Sequence, residues 1–298
     1  MAIEIRACRP DELERLISLL DEEFIFGKGR AISLRQRFPT VFCHNNLHNI
    51  IICTDGEVIA SALAIRQFDW REGNEIFKGA MIGAVYTHPA RRGEGLASRL
   101  LEAAAIQLRE EKVDFGVLWT GQPSFYARLG WVSADCSVLG EIEPNNAILE
   151  PPDGVALLPI ATSAHQLEDI RQRCLNAITL RHSEDYRQLP PPAERVDLLR
   201  CEEQDKAAYA LLGSDGETGF IYELIGDVTC FPALWREACR DHQRVFINDR
   251  IDSASCIWLT KHTRITWQRK NLAMWLPLSG RVDTARLEQW HIPYFDRI

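Results

Sequence analysis

The sequence predicts an α/β (α+β) protein of two domains, and three observations carry that prediction. Short apolar, β-branched runs such as Ile50-Ile51-Ile52-Cys53 alternate with amphipathic stretches of helical period such as Leu96–Leu108. Thr54-Asp55-Gly56-Glu57 sits between two such runs, which is the signal of a hairpin. The chain has 298 residues, 46% of them apolar, enough to fill two cores.

Taken in order, Glu4–Ala7 is a short strand, and Pro10-Asp11-Glu12 opens a helix with Leu13, Leu16, Ile17 and Leu20 on its apolar face, running to about Phe24. The segment from Gly27 to Asn49 is irregular and carries Phe38, Phe42, His44 and His48. Val58–Ile65 completes the hairpin, Phe68–Asn74 turns into the next strand, and Ala80–Tyr86 is that strand. A Pro-marked turn, Ala90-Arg91-Arg92-Gly93-Glu94-Gly95, then leads into the Leu96 helix. Val113–Trp119 reads as a buried strand, Gly121–Ser124 breaks it, and Trp131–Leu139 resumes as a strand. Glu150-Pro151-Pro152-Asp153-Gly154 reads as a linker, dividing the chain into residues 1–150 and 151–298. Beyond it the order of elements repeats: a strand at Val155–Leu158, a helix over His165–Ile178, and strands at Val196–Arg200, Ala207–Leu212 and Phe220–Ile225. A helix near Ala233–Asp241 and strands at Val245–Ile247, Ser255–Leu259 and Leu272–Leu276 complete the set.

A strand that feeds a Gly-containing turn into a helix N-terminus makes an anion site. The first amides of the helix lack partners, and its dipole favours negative charge. Gly93 and Gly95 allow a phosphate to approach the main chain closely. A dinucleotide fingerprint is not completed, because the third position is Ser98, and no Gly-Lys-Ser/Thr follows to make a nucleotide P-loop.

Arg92-x-x-Gly95-x-Ala97 after the strand Val85-Tyr86-Thr87 resembles the acetyl-CoA signature of the GNAT N-acetyltransferase superfamily. Phe125-Tyr126-Ala127-Arg128-Leu129-Gly130-Trp131 resembles the second motif of that superfamily. The resemblance covers Ile3 to Val132, and GAVYTHPARRGEGLASRLL is closest in wording to the enhanced intracellular survival branch. It implies a mixed, largely antiparallel sheet flanked by helices, with residues 1–150 as the acetyl-CoA-binding catalytic domain. Residues 151–298 are expected to be a degenerate GNAT-like domain, or another α+β fold. They carry Asp227-Val228-Thr229-Cys230-Phe231-Pro232 where the first half has its arginine–glycine loop.

The resemblance assigns the cofactor to the main chain of Val85, Tyr86 and Thr87 and to the loop Arg91, Arg92, Gly93, Glu94, Gly95, Leu96, Ala97 and Ser98, and it places part of the acceptor pocket in the Gly27–Asn49 segment. Tyr126 is the expected general acid, since a phenol of pKa near 10 can protonate a departing thiolate whose acid has a pKa near 8.5. The base is open among Asp69, Glu72, Glu75, His88 and the carboxylate of Ile298; the last is suggested because the enhanced intracellular survival branch uses its chain terminus in this way.

Net charge is −8, spread evenly: Lys+Arg against Asp+Glu is 16 to 21 in residues 1–150 and 18 to 21 beyond. With no basic block, nucleic acid is not an expected partner, and the acidic balance leans toward a cationic acceptor such as an amine or polyamine. No run is long enough to span a membrane and no signal peptide is read. The nine scattered cysteines, without zinc spacing, point to reduced thiols in a cytoplasmic protein and to no metal. The expected activity is acetyl transfer from acetyl-CoA to a primary amine of a small molecule or peptide, with homo-oligomerisation left open. A non-catalytic acyl-CoA sensor, or an enzyme for longer acyl chains, are the competing readings.

Overall fold

The computed structural model describes residues 3–144, 155–158 and 160–298. The expected linker at Glu150–Gly154 lies outside them. The strands are β1 (Ile3–Ala7), β2 (Ile50–Asp55), β3 (Val58–Glu72), β4 (Glu75–Thr87), β5 (Phe115–Trp119), β6 (Val132–Ser133), β7 (Ser137–Ile142), β8 (Val155–Leu158), β9 (Ala177–Leu180), β10 (Arg195–Glu203), β11 (Lys206–Asp215), β12 (Thr218–Gly226), β13 (Arg244–Arg250), β14 (Thr266–Gln268) and β15 (Ala273–Pro277). The helices are α1 (Leu13–Phe24), α2 (Leu34–Arg37), α3 (Leu96–Glu110), α4 (Pro123–Ala127), α5 (Ile160–Cys174), α6 (Phe231–Cys239), α7 (Ala254–His262) and α8 (Thr284–Leu287).

Two mixed sheets result. The first has the order β1-β2-β3-β4-β5-β15-β6, with β9 added to the outer part of β3; the second has the order β14-β7-β13-β12-β11-β10-β8. Each contains one parallel pair at the same place in its order, β4 with β5 and β12 with β13, and every other pairing is antiparallel. The second sheet therefore repeats the topology of the first.

The division at residue 150 does not separate these sheets. β7, from the first half, lies between β13 and β14 in the second sheet, and β15, from the second half, lies between β5 and β6 in the first. The expected single strand over Trp131–Leu139 is thus two strands, β6 and β7, in different sheets. Asp135 makes this corner, where its carboxylate accepts from the amides of Ser137 (3.0 Å), Leu272 (2.9 Å) and Ala273 (3.0 Å).

Period-2 alternation gives the first sheet two buried faces. Ile51, Cys53, Leu63, Ile65, Ala80 and Ile82 pack under the Leu96–Leu108 face of α3. Ile50, Ile52, Ala62, Ala64 and Tyr86 pack against α1 and against Phe38 and Phe42. In the second sheet, α6 covers one face and α5 the other. Two local expectations are corrected. Ser255–Leu259 lies in a helix, because the Ser253 hydroxyl caps it by accepting from the amide of Cys256 at 3.1 Å. The helix expected to reach Ile178 stops at Cys174, and Ala177–Leu180 instead pairs with Asp69–Glu72 of β3.

Among the described residues no helix is long and apolar enough to cross a membrane. The nine cysteines are all free thiols.

Candidate active site

The parallel pair β4/β5 is joined only over Gly79–Met81 and Phe115–Val117, after which the strands diverge. β4 also carries a bulge there: Ala62 pairs with Tyr86 and Ala64 with Gly83, so Ala84 and Val85 together oppose Leu63, and Ala84 takes φ +49°. Bulge and splay open a cleft in mid-sheet.

On one side of this opening is a groove of about 930 Å³ lined by Val85, Tyr86 and Thr87, by Arg91, Arg92, Gly93, Gly95, Leu96, Ala97 and Ser98, and by Phe125 and Tyr126. Nothing lies within 4 Å of a side chain added at Gly93 or Gly95, and both residues have left-handed φ, +89° and +74°. Gly95 is the N-cap of α3 and has no side chain to satisfy the helix amides. Among the described residues no group accepts from the amides of Gly93–Ser98. A groove floored by unpaired amides at the head of a fifteen-residue helix is a fit for a diphosphate.

Both arginines of the loop already face carboxylates. Arg91 pairs with Asp55 (3.0 Å) and Glu94 (2.7 Å), and Arg92 pairs with Glu23 (3.0 Å) and donates to the Thr87 carbonyl (3.3 Å). The guanidinium of Arg91 holds the Glu94 carboxyl below its ordinary range. Glu94 thus serves Arg91 and does not line the groove.

Tyr126 projects from α4, which Pro123 opens, and the chain reverses after it at Gly130 (φ +85°). Its ring meets Phe125 and Trp131 edge-on, at 4.9 and 6.2 Å between centroids. Burial pushes the phenol above its ordinary pKa, so it carries its proton at neutral pH. Its hydroxyl has no hydrogen-bond partner among the described residues. Tyr86, by contrast, points into the core under α1 and offers only its main chain.

On the other side of the bulge is a cavity of about 320 Å³ whose walls include Phe24, Phe38, Phe42, Trp119, Leu272 and Tyr294, with Gly83 and Ala84 at its floor. Phe24 lines both spaces. Ile298 reaches this floor: a Cβ added at Gly83 would lie 2.9 Å from the Ile298 carboxyl carbon. The segment ending there is fixed by a buried charge cluster two residues earlier. Asp296 bonds Arg181 at 2.7 and 2.9 Å, Arg181 bonds Glu223, and Arg66 donates to the Asp296 carbonyl at 2.7 Å. Burial alone would raise the Asp296 carboxyl, but Arg181, Arg171 and Arg66 hold it at about 2.

The remaining base candidates lie elsewhere. Glu72 closes β3 and Glu75 opens β4 beside it, at the opposite end of β4 from Val85, roughly 33 Å away at the rise of an extended strand. There Glu72 holds Arg286 (2.5 Å) and the indole of Trp290 (2.8 Å), and Glu75 holds the same arginine. His88 caps the short turn after β4, its Nδ1 accepting from Ala90, and does not line either space. Asp69 is exposed on β3 opposite Leu180. Of the aromatic-rich segment, Phe38 and Phe42 line the cavity, and His44 and His48 do not. Sequence reasoning missed Phe24, Trp119, Tyr294 and Arg297 as cavity residues, because only the fold brings them together.

Among the described residues the second sheet has no counterpart of the anion loop. After β12 the Asp227 carboxylate itself accepts from the amide and hydroxyl of Thr229, at 2.9 and 2.7 Å. A carboxylate stands where the first half leaves amides open.

Residues 4–134, a little under half of the chain, match the Acetyltransferase (GNAT) domain family. No curated protein matches the chain. Similar solved structures include a conserved Enterococcus faecalis V583 protein described as a probable N-acyltransferase, at 15% identity and TM-score 0.74, covering 94% of this chain and 73% of that one. A GCN5-related N-acetyltransferase from Anabaena variabilis is 15% identical, with TM-score 0.71, covering 93% of this chain and 73% of that one. Eis1 from Mycobacterium abscessus is 14% identical, with TM-score 0.61 and coverage of 93% and 74%. At these identities the likeness is one of fold.

Proposed function

We propose that the protein transfers an acetyl group from acetyl-CoA to a primary amine. The observation that carries this reading is the pair of spaces flanking the β4 bulge, a groove with unpaired amides and a largely apolar cavity that share Phe24 as a wall. The amides of Gly93–Ser98 hold the pyrophosphate, and Arg91 and Arg92 exchange their carboxylate partners for phosphate oxygens. The pantetheine arm lies along Val85–Thr87, where β4 has left β5, in the manner of an added strand.

The amine enters from the cavity side. A primary amine of pKa about 10.4 costs roughly 4.6 kcal/mol to deprotonate at pH 7, which a local base recovers in part. The Ile298 carboxylate takes that proton, the nitrogen attacks the thioester carbonyl, and the second nitrogen proton leaves to water as the amide forms. As the carbon–sulfur bond breaks, Tyr126 gives its proton to the sulfur and is reprotonated from solvent. Among the candidate bases, Ile298 is supported by its contact with Gly83 beside the bulge.

Calorimetric titration with acetyl-CoA tests the cofactor half. Gly95→Trp places a bulky group into open space at a left-handed position and should abolish binding, whereas unchanged affinity would remove the loop from the reading.

A further inference from the structure

The protein's charge of −8 suits polycationic acceptors, but the acceptor cavity does not share that charge. Among its lining residues there is no Asp or Glu side chain, and two of them are arginines. Arg297 is fixed: it donates to the Asn248 side chain at 2.7 Å and to the Ile292 carbonyl at 2.9 Å, and it stacks over Trp119 at 4.7 Å and Tyr294 at 5.2 Å. Burial lowers its pKa to about 10, which leaves it cationic at neutral pH. Arg30, also in the wall, makes no salt bridge among the described residues. The polar acceptor on the floor is the main-chain carboxyl group of Ile298, beside Gly83.

A ligand with several ammonium groups would therefore bring its second charge against aromatic faces and guanidinium groups, with no carboxylate to receive it. A ligand with one ammonium and an apolar ring finds the reverse: an oxygen acceptor at the bulge and Phe24, Phe38, Phe42 and Leu272 around its body. The volume of about 320 Å³ suits a one- or two-ring amine and is too small for a trisaccharide. We infer that the acceptor is a monoamine on an aromatic body, of the arylalkylamine class, and that polyamines and aminosugars are excluded. The inference names the substrate class for the acyl transfer proposed above and rests on that reading.

The test combines two readouts on the full chain. Calorimetry in the presence of CoA measures binding of tryptamine, 2-phenylethylamine, spermidine and kanamycin, and thioester consumption with acetyl-CoA measures turnover of each. The arylalkylamines should bind and turn over with kcat/KM at least tenfold above the polycations. Leu272→Asp, at a half-exposed wall position, should weaken their binding tenfold or more at unchanged acetyl-CoA affinity, and Arg30→Glu should narrow the gap to spermidine by a similar factor. Spermidine or kanamycin matching tryptamine, or no arylalkylamine binding at all, overturns the acceptor class while leaving acyl transfer standing if thioester is consumed. Tryptamine binding that is lost in Leu272→Asp, without thioester consumption, supports the cavity assignment and sinks acyl transfer alone.

Discussion

Ile298 occupies the space that a side chain at Gly83 would need: its carboxyl carbon and oxygen both lie 2.9 Å from the position of an added Cβ. Gly83 has an ordinary backbone conformation, so alanine is tolerated there by the strand, and the nearest atoms it would meet are those of Ile298. Gly83→Ala should push the carboxyl group off the floor of the cavity. We expect kcat to fall by about tenfold to a thousandfold, the range typical for loss of a general base, with acetyl-CoA affinity unchanged in calorimetry. Retention of full kcat would show that the base lies elsewhere.

Tyr126 carries a proton it has no internal partner to share. Tyr126→Phe keeps its edge-on packing with Phe125 and Trp131 and removes only the hydroxyl. Steady-state kinetics should show kcat lowered about tenfold or more with little change in cofactor affinity. Equal turnover would take the phenol out of the mechanism.

Asp296 pairs with Arg181 and Arg171, which are both fully buried, and its carbonyl accepts from Arg66 of the first half. Replacing it with Asn leaves these guanidinium groups short of countercharge. Breaking a buried pair in this way costs roughly 3–5 kcal/mol, read as a lower denaturant midpoint. Because Asp296 also sets the path to Ile298, surviving folded protein should show a raised acceptor KM.

His291 is buried beside Asp249 at 3.8 Å, and burial, with the charges of Arg297 and Arg250 against Asp135 and Asp296, lowers its pKa to about 3. A histidine depressed below its unfolded value adds stability above about pH 6.5 and loses it as pH falls toward 3. At about 1.36 kcal/mol per unit, roughly 2 kcal/mol should be lost between pH 7 and pH 5. Asp296 contributes a second loss only below about pH 4, as its own folded pKa of about 2 is approached. Urea titrations at pH 7, 6 and 5 should show the fall in the native chain and a flatter profile in His291→Gln; parallel profiles would exclude His291 as its source.

The parts of the site that depend on local pattern were legible in the sequence. The Gly93–Gly95 turn, the α3 face and the Tyr126 turn each follow from neighbouring residues, because caps, periodicity and positive φ are local properties. Position along a strand was not legible. Glu72 and Glu75 stand just before the expected strand Ala80–Tyr86 in sequence, yet the β3/β4 hairpin carries them to the far end of these strands. Pairings between distant segments were hidden for the same reason. Arg181 and Asp296 are separated by 115 residues, and nothing near either one announces the other. The helix over Ala254–His262 is a different case, because the Ser253 cap that starts it was present in the sequence and was outweighed by apolar content.

The loan of β7 to the second sheet and of β15 to the first has a consequence for folding. With either partner deleted, the other would keep an empty slot beside its fifth strand and a stranded segment with nothing to pair. A single cooperative melt is the thermodynamic expression of that bond.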